Sequence, residues 1–422
     1  MGIDDNYQLL WANIFVNLMG IIAIAMYAFS RSVNSMHSED IKMLMKQSSG
    51  AGLISFAGGM PNNDLFPIHE MDEIYNGLTD PLKKLCFQYG PTAGYPPLVT
   101  SLKKLLKKKG LPVVTNKILV TTGSLQAISI ITQEFLNEGD YILTENPCFV
   151  GAISVFETYG AKMISVPIDQ YGMDIAALKD TLSKLNKKPK FLYVTPNFHN
   201  PAGIIYTEER KKALMEVLSG TGIILIEDDA YGDLYFDDKD VKLVRPMKSY
   251  ENYDVEVIYT GSFSKILGPG FRLGYMLASP EIFEKAESIK QALDACTSNF
   301  MQILANEFLS KGYLDPYLQF LRKEYAERKQ ILQDSLTAYM PNEIRWNEPR
   351  GGFYIWLKLP ERIKSSTIFK ASLDRGVAFV TGRTFDPDNK KDDRIRLSFS
   401  NMPKAEIKKG TKILAEVIRQ SL

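Results

Sequence analysis

One lysine stands apart from the chain's others because of its neighbours. In Thr260-Gly261-Ser262-Phe263-Ser264-Lys265-Ile266-Leu267-Gly268-Pro269-Gly270-Phe271-Arg272 it follows two serines and precedes an arginine within a glycine-rich turn. A lysine amine beside hydroxyls and a fixed cation is what an aldehyde cofactor bearing a phosphate requires. The amine condenses with the aldehyde, while Ser262 and Arg272 can hold the phosphate. A surface loop with an ordinary lysine is the bland reading. Against it, Val257-Ile258-Tyr259 runs into the turn and Leu273-Gly274-Tyr275-Met276 leaves it, so strand-like segments grip the lysine on both sides.

Other stretches carry chemistry less exclusively. Thr121-Thr122-Gly123-Ser124-Leu125-Gln126 falls where a strand hands over to a helix. Unpaired amides and the helix dipole make a phosphate cradle there, with Gly123 permitting close approach and Ser124 adding a hydroxyl. Glycine-serine turns also cap many helices with no ligand. Thr195-Pro196-Asn197-Phe198-His199-Asn200-Pro201-Ala202-Gly203 reads locally as a proline-glycine turn after a strand. In Ile226-Glu227-Asp228-Asp229-Ala230-Tyr231-Gly232 three acids follow an apolar run. Composition alone makes them a solvated or metal-like cluster, but the preceding strand makes burial of one carboxylate plausible. Arg394-Ile395-Arg396-Leu397-Ser398 alternates charged and apolar residues as an edge strand with a solvated face would.

These stretches need a scaffold that brings them together. From Lys117 onward β-branched runs alternate with helical patterns. Ile118–Thr121, Tyr141–Thr144, Met163–Val166, Phe191–Val194 and Ile223–Ile226 read as strands, and Ser124 to Phe135 as a helix. That alternation predicts an α/β three-layer sandwich: a mainly parallel sheet with helices on both faces and its ligand at the carboxyl ends of the strands. Past Pro280 the pattern shifts to long charged helices over 281–309 and 317–339. Shorter strands follow at 353–357, 377–380 and 395–400, then a last helix over 404–420. The expected organisation is a large domain over 60–300, a small C-terminal α+β domain over 301–422, and an N-terminal arm over 1–59 that contributes to the small domain.

Composition narrows the function classes. The 50 Lys+Arg against 49 Asp+Glu leave no global charge to draw the chain to nucleic acid. Three cysteines (Cys86, Cys148, Cys296) without paired spacing fit a cytoplasmic setting, and three histidines argue against a histidine-ligated metal. From Trp11 to Phe29 no charged residue occurs, a length that could just span a bilayer. Asn13, Asn17 and Gly20 interrupt it, and acidic Asp4 and Asp5 precede it, unlike a signal peptide. A packed arm is the favoured reading of this segment; a membrane anchor and a non-native extension stay open.

The lysine segment resembles the signature of fold-type I pyridoxal-phosphate enzymes, class I/II aminotransferases in particular. Ile54-Ser55-Phe56-Ala57-Gly58-Gly59-Met60-Pro61 and Phe87-Gln88-Tyr89-Gly90-Pro91 resemble the kynurenine/2-aminoadipate and aromatic or broad-specificity branch. The likeness runs from about Ser38 to the C-terminus. It implies an aspartate-aminotransferase-like large domain and pyridoxal 5′-phosphate as cofactor. It further implies Lys265 as the attachment point, Asp228 at the ring nitrogen (with Asp229 as the competing assignment) and Tyr231 at the phenolic oxygen. Ser124, the backbone of Leu125, Ser262 and Arg272 would hold the phosphate, and Phe149 would stack on the ring. Asn200 would touch cofactor and substrate, Gly59 would border the substrate, and Arg396 would grip its carboxylate.

Tyr89 matches a residue that reaches the phosphate from a neighbouring subunit, implying a homodimer. The implied activity is transfer of an amino group from an aromatic, branched or 2-aminoadipate-like amino acid to a 2-oxo acid such as 2-oxoglutarate. Lys42 stands in the stretch where some relatives use an arginine for a distal carboxylate. Cα lyases and decarboxylases of the same fold are the alternative. A regulator with an aminotransferase-like domain is disfavoured, because the stretch before Ser38 is short and apolar.

Overall fold

The computed structural model describes Ser30 and residues 52–422. The apolar segment 11–29, Lys42 and most of the expected arm lie outside the described residues. No described helix is long and apolar enough to cross a membrane.

A short strand, β1 (Ile54–Ser55), precedes the main run: β2 (Lys117–Thr121), β3 (Tyr141–Asn146), β4 (Lys162–Asp169), β5 (Gly172–Met173), β6 (Phe191–Val194), β7 (Ile224–Asp229), β8 (Val257–Ser262) and β9 (Gly274–Ala278). Among the described residues these eight form one sheet in the order β2-β9-β8-β7-β6-β3-β4-β5. The neighbours β8, β7, β6, β3 and β4 are parallel, whereas β9 and β5 run against the rest. Adjacent residues split between its faces as a period of two demands. Ile142, Phe191, Ile226 and Ile258 pack under helices Ser124–Phe135, Val150–Thr158 and Pro280–Asp294. Leu143, Leu192, Leu225 and Val257 pack towards helices Ile175–Lys184 and Glu208–Leu218. This is the expected three-layer α/β sandwich.

Local signals set the helix starts. Asp174 caps helix Ile175–Lys184 by accepting from the Ala177 amide at 3.0 Å, and Thr207 accepts from the Arg210 amide at 3.2 Å. In Pro96–Lys108, proline occupies the first turn and Leu98, Leu102 and Leu106 form one fully buried stripe.

The later strands are β10 (Arg345–Trp346), β11 (Tyr354–Lys358), β12 (Val377–Ala378), β13 (Val380–Thr381) and β14 (Arg394–Ser398). Four of them form an antiparallel sheet ordered β10-β11-β14-β13, while β12 pairs in parallel with β1. Both sheets lie in one compact unit.

Two readings change. The alternating segment at Arg396 is not an edge strand with a solvated face: β14 is paired on both sides, and Arg396 is buried. Alternation reports which face a side chain takes, not whether the backbone has neighbours. The expected helix over 281–309 is two helices, Pro280–Asp294 and Asn299–Ser310. Asp294 ends the first because its carboxylate accepts from Thr122, Gln126 and Lys290 at 2.7–3.0 Å, and Ala295 follows at φ 60°. Ser298 then caps the second.

Helix Leu314–Tyr339 contributes Leu332, fully buried, to the large core that also holds Leu414 and Ile418 of the last helix. Leu332→Ala should destabilise the protein by about 2–5 kcal/mol, read as a lower urea midpoint with an unchanged denaturant slope.

Candidate active site

Five strand ends converge. The loops after β2, β3, β6, β7 and β8, with the segment after β1 and two residues of the small sheet, enclose a cavity of about 300 Å³. It brings together Ser124, Leu125, Phe149, Asn200, Asp228, Tyr231, Ser262, Lys265, Arg272, Gly59 and Arg396. Tyr89 is not among them; it is 81% exposed on the surface.

Lys265 sits just past β8, and its Nζ donates to the Gly59 carbonyl at 2.8 Å. It also lies 5.6 Å from the centroid of the Tyr231 ring. Burial, then the nearby guanidiniums of Arg396 and Arg272, push its pKa down to about 8, with Asp228 opposing. An amine so perturbed is neutral far more often near pH 7 than an ordinary lysine, and the neutral form is the nucleophile.

Asp228 and Asp229 part company because successive residues of β7 face opposite sides. Asp228 lines the cavity with Lys265. It accepts from Tyr193 Oη at 2.7 Å and Thr260 Oγ1 at 2.9 Å, and burial raises its pKa to about 6. Asp229 instead accepts from Asn197, the Gly232 amide and Tyr259, and borders a separate cavity of about 770 Å³. Tyr231 is buried, with its hydroxyl 2.9 Å from that of Tyr354. Burial raises its pKa well above the usual phenol value.

One rim of the cavity is built around the turn at Gly123. Gly123 caps helix Ser124–Phe135 at φ 81°, and a Cβ there would come within 2.8 Å of the Arg272 guanidinium. The first amides of that helix have no intrahelical partners. Ser262 accepts from the Ser264 amide at 3.1 Å, and Arg272 donates to the Thr122 carbonyl at 3.3 Å. Hydroxyls, a guanidinium and helix amides therefore share one rim. On the opposite wall, Arg396 Nη1 donates to Asn200 Oδ1 at 2.8 Å and Nη2 to the Ala57 carbonyl at 2.6 Å. Its guanidinium lies over the rings of Tyr354 and Phe385, 4.5 and 4.8 Å from their centroids. Its Nε is buried with no partner among the described residues.

Sequence reasoning missed Tyr354, Thr195 and Ser264 in the cavity wall, and Tyr193 and Thr260 behind Asp228. Tyr354 had a signal. Gly351-Gly352 precedes it, and a Cβ at either glycine would strike Phe198 at 2.4–2.6 Å. The pair marks a close approach that delivers β11 to the site.

A nucleophilic amine, a phosphate-sized donor rim and a buried carboxylate facing the amine define a lysine-dependent enzyme of an aldehyde cofactor. The fit to pyridoxal phosphate is chemical. The rim matches a phosphate ester, and the carboxylate matches a cationic ring nitrogen.

Comparison with known proteins agrees. The aminotransferase class I and II family matches residues 80–414. An aromatic-amino-acid aminotransferase of Thermococcus litoralis is 34% identical, over 93% of this chain and 94% of its own. A 2-aminoadipate transaminase of Thermus thermophilus is 32% identical, over 93% of this chain and 96% of its own. The fold is similar to that of a Pyrococcus horikoshii kynurenine aminotransferase crystallised with PMP, at a TM-score of 0.90 and 35% identity, covering 96% of this chain and 99% of that one. The chain belongs to the class I and II aminotransferase family. It is a pyridoxal-phosphate-dependent transaminase.

Two outcomes are expected. Capture of added pyridoxal phosphate by Lys265 should accelerate with a midpoint near pH 8, far below an ordinary lysine, because deprotonation frees the nucleophile. Stopped-flow absorbance reads this directly, and Lys265→Ala should abolish capture. At Gly274, a Cβ would meet the Gly123 carbonyl carbon at 2.6 Å and the Ser124 amide nitrogen at 2.7 Å. Gly274→Ala should therefore displace the anion turn and weaken cofactor affinity, by about tenfold or more in equilibrium titration.

Proposed function

We propose that this enzyme moves the α-amino group of an L-amino acid to a 2-oxo acid such as 2-oxoglutarate, the donor being aromatic, branched or 2-aminoadipate-like. One observation carries the reading: Lys265 and the Arg396–Asn200 pair face the same small cavity. An amino acid whose carboxylate docks on Arg396 then places its Cα within the lysine's reach. The names of the relatives span aromatic, 2-aminoadipate and kynurenine donors, and Phe149, Leu125, Met60 and Tyr354 supply apolar wall for such side chains.

When bound, pyridoxal phosphate supplies an electron-accepting ring that spreads negative charge developing at the substrate's Cα. Ser124, the Leu125 amide, Ser262 and Arg272 would hold its phosphate, and Phe149 would stack on its ring. Asp228 would favour positive charge on the ring nitrogen, and Tyr231 would donate to the phenolic oxygen. Lys265 Nζ takes the proton from the substrate Cα and holds it, a task suited to a base poised near pH 8. Arg396 fixes the substrate carboxylate through its planar fork, which lysine cannot reproduce.

Several further parts belong to the same proposal. Tyr89, exposed on this chain, completes the phosphate site of a second copy in a homodimer. The chain divides functionally into a cofactor-binding region (60–300), a small region (301–422) and the arm (1–59), and it works in the cytoplasm.

The test is a donor screen against 2-oxoglutarate with the holoenzyme. Truncating one partner of a buried charged hydrogen bond costs roughly 2–5 kcal/mol, so Arg396→Leu should lose at least about thirtyfold in kcat/KM for amino acids. An amine lacking the carboxylate should lose as much on the unaltered enzyme. Equal turnover of the two donor types would remove Arg396 from its role and the amino-acid reading with it.

A further inference from the structure

Beneath the loop that carries Asn200 lies a carboxylate that no step above uses. Glu145, on β3, is fully buried. It accepts from the Thr195 amide at 2.9 Å, from His199 Nε2 at 3.1 Å and from the Tyr206 hydroxyl. His199 Nδ1 accepts from the Ala202 amide at 3.1 Å, so the ring hydrogen sits on Nε2 and the imidazole is neutral. No lysine or arginine among the described residues pairs with Glu145. Its oxygens are met by neutral donors alone, so in a core it depends on each of them staying in place.

Those donors are spaced along one loop. Thr195 opens it, His199 lies at its middle and Tyr206 closes it, while Asn200 sits beside the histidine. The loop also closes on itself, His199 N to Ile204 O and Tyr206 N to Pro196 O both at 2.8 Å. The β3 carboxylate therefore clamps the loop at three points. Asn200 reaches the cavity from the clamped loop and meets Arg396 from the small sheet.

We propose that Glu145 is a positioning residue: through Thr195, His199 and Tyr206 it fixes the loop so that the Asn200 amide stays on Arg396 and on the substrate carboxylate. This rests on the aminotransferase reading of the cavity. Glu145 touches neither substrate nor cofactor and acts only through Asn200. Tyr206→Phe removes one clamp and keeps the charge, whereas Glu145→Gln keeps the shape and removes the charge.

The experiment is a mutant cycle in the holoenzyme with Glu145→Gln, Tyr206→Phe and Asn200→Ala. It reads KM and kcat for one amino donor, the pH midpoint of the bound cofactor's absorbance, and thermal melting. Glu145→Gln should raise KM by about tenfold and Tyr206→Phe by about threefold, misplacements well inside the ~100-fold that a 1 Å shift can cost. Both should move the absorbance midpoint in the same direction. Neither should add to the KM defect of Asn200→Ala, because the clamp has then lost the group it aims.

Full additivity with Asn200→Ala overturns the proposal. So does a lower melting temperature with KM and absorbance midpoint at their wild-type values, which marks a purely structural carboxylate. If Glu145→Gln does not fold, the Tyr206→Phe and Asn200→Ala pair decides by the same criterion. A wild-type protein that binds the cofactor yet aminates no 2-oxo acid would sink the proposed reaction. It would leave the spectral arm readable, so the two failures are distinct.

Discussion

Three cations, Lys265, Arg272 and Arg396, surround a cavity that, among the described residues, only one carboxylate, Asp228, faces. That surplus of positive charge is the constraint around which the rest is arranged. Burial first and then this surplus hold down the pKa of the lysine, and the surplus demands anions, which a phosphate ester and an α-carboxylate supply. The protein can carry it because each cation is tied to a different part of the scaffold. Arg396 is held by a side-chain amide, a carbonyl and two aromatic faces, Arg272 by the carbonyl of Thr122, and Lys265 by the carbonyl of Gly59.

The scaffold serves this arrangement through strand ends. In a parallel sheet every strand delivers its last residues to one side, so five loops distant in sequence meet without long excursions. The small sheet contributes from the other side through Tyr354 and Arg396, which lie on adjacent paired strands. Asp294 supports the arrangement from outside the cavity. By holding Thr122 and Gln126 it braces the turn at Gly123 while ending its own helix.

Much of this was legible in the residues. Apolar runs with helical patterns between them located β2, β3, β4, β6 and β7, the run at 257–259 marked β8, and the turns after β2 and β8 pointed to the serines and the lysine; Asp228 was singled out from its acidic neighbours through family likeness. Arg396 likewise was legible through family likeness, since its local pattern pointed to a solvated edge. What stayed hidden depended on contacts between distant segments. Tyr193 looks like any strand aromatic until Asp228 is found beneath its hydroxyl. Glu145 looks like a strand-end acid until the loop 50 residues on folds over it. The break at Asp294 hides for the same reason: Thr122 and Gln126, two of the three donors gathered on its carboxylate, belong to another part of the chain. Tyr89 shows the opposite case, a residue whose family role lies beyond the single chain.

The neighbouring carboxylates of β7 have a further consequence. Because they open onto separate chambers, sliding that strand by a single residue against its partners would seat Asp229 or Glu227 where Asp228 stands, presenting the wrong acid to the amine. Alignment of β7 with β6 and β8 is thus a chemical specification as well as a mechanical one. Ile226 and Leu225, each locked into a different oily layer, are the vernier that enforces it.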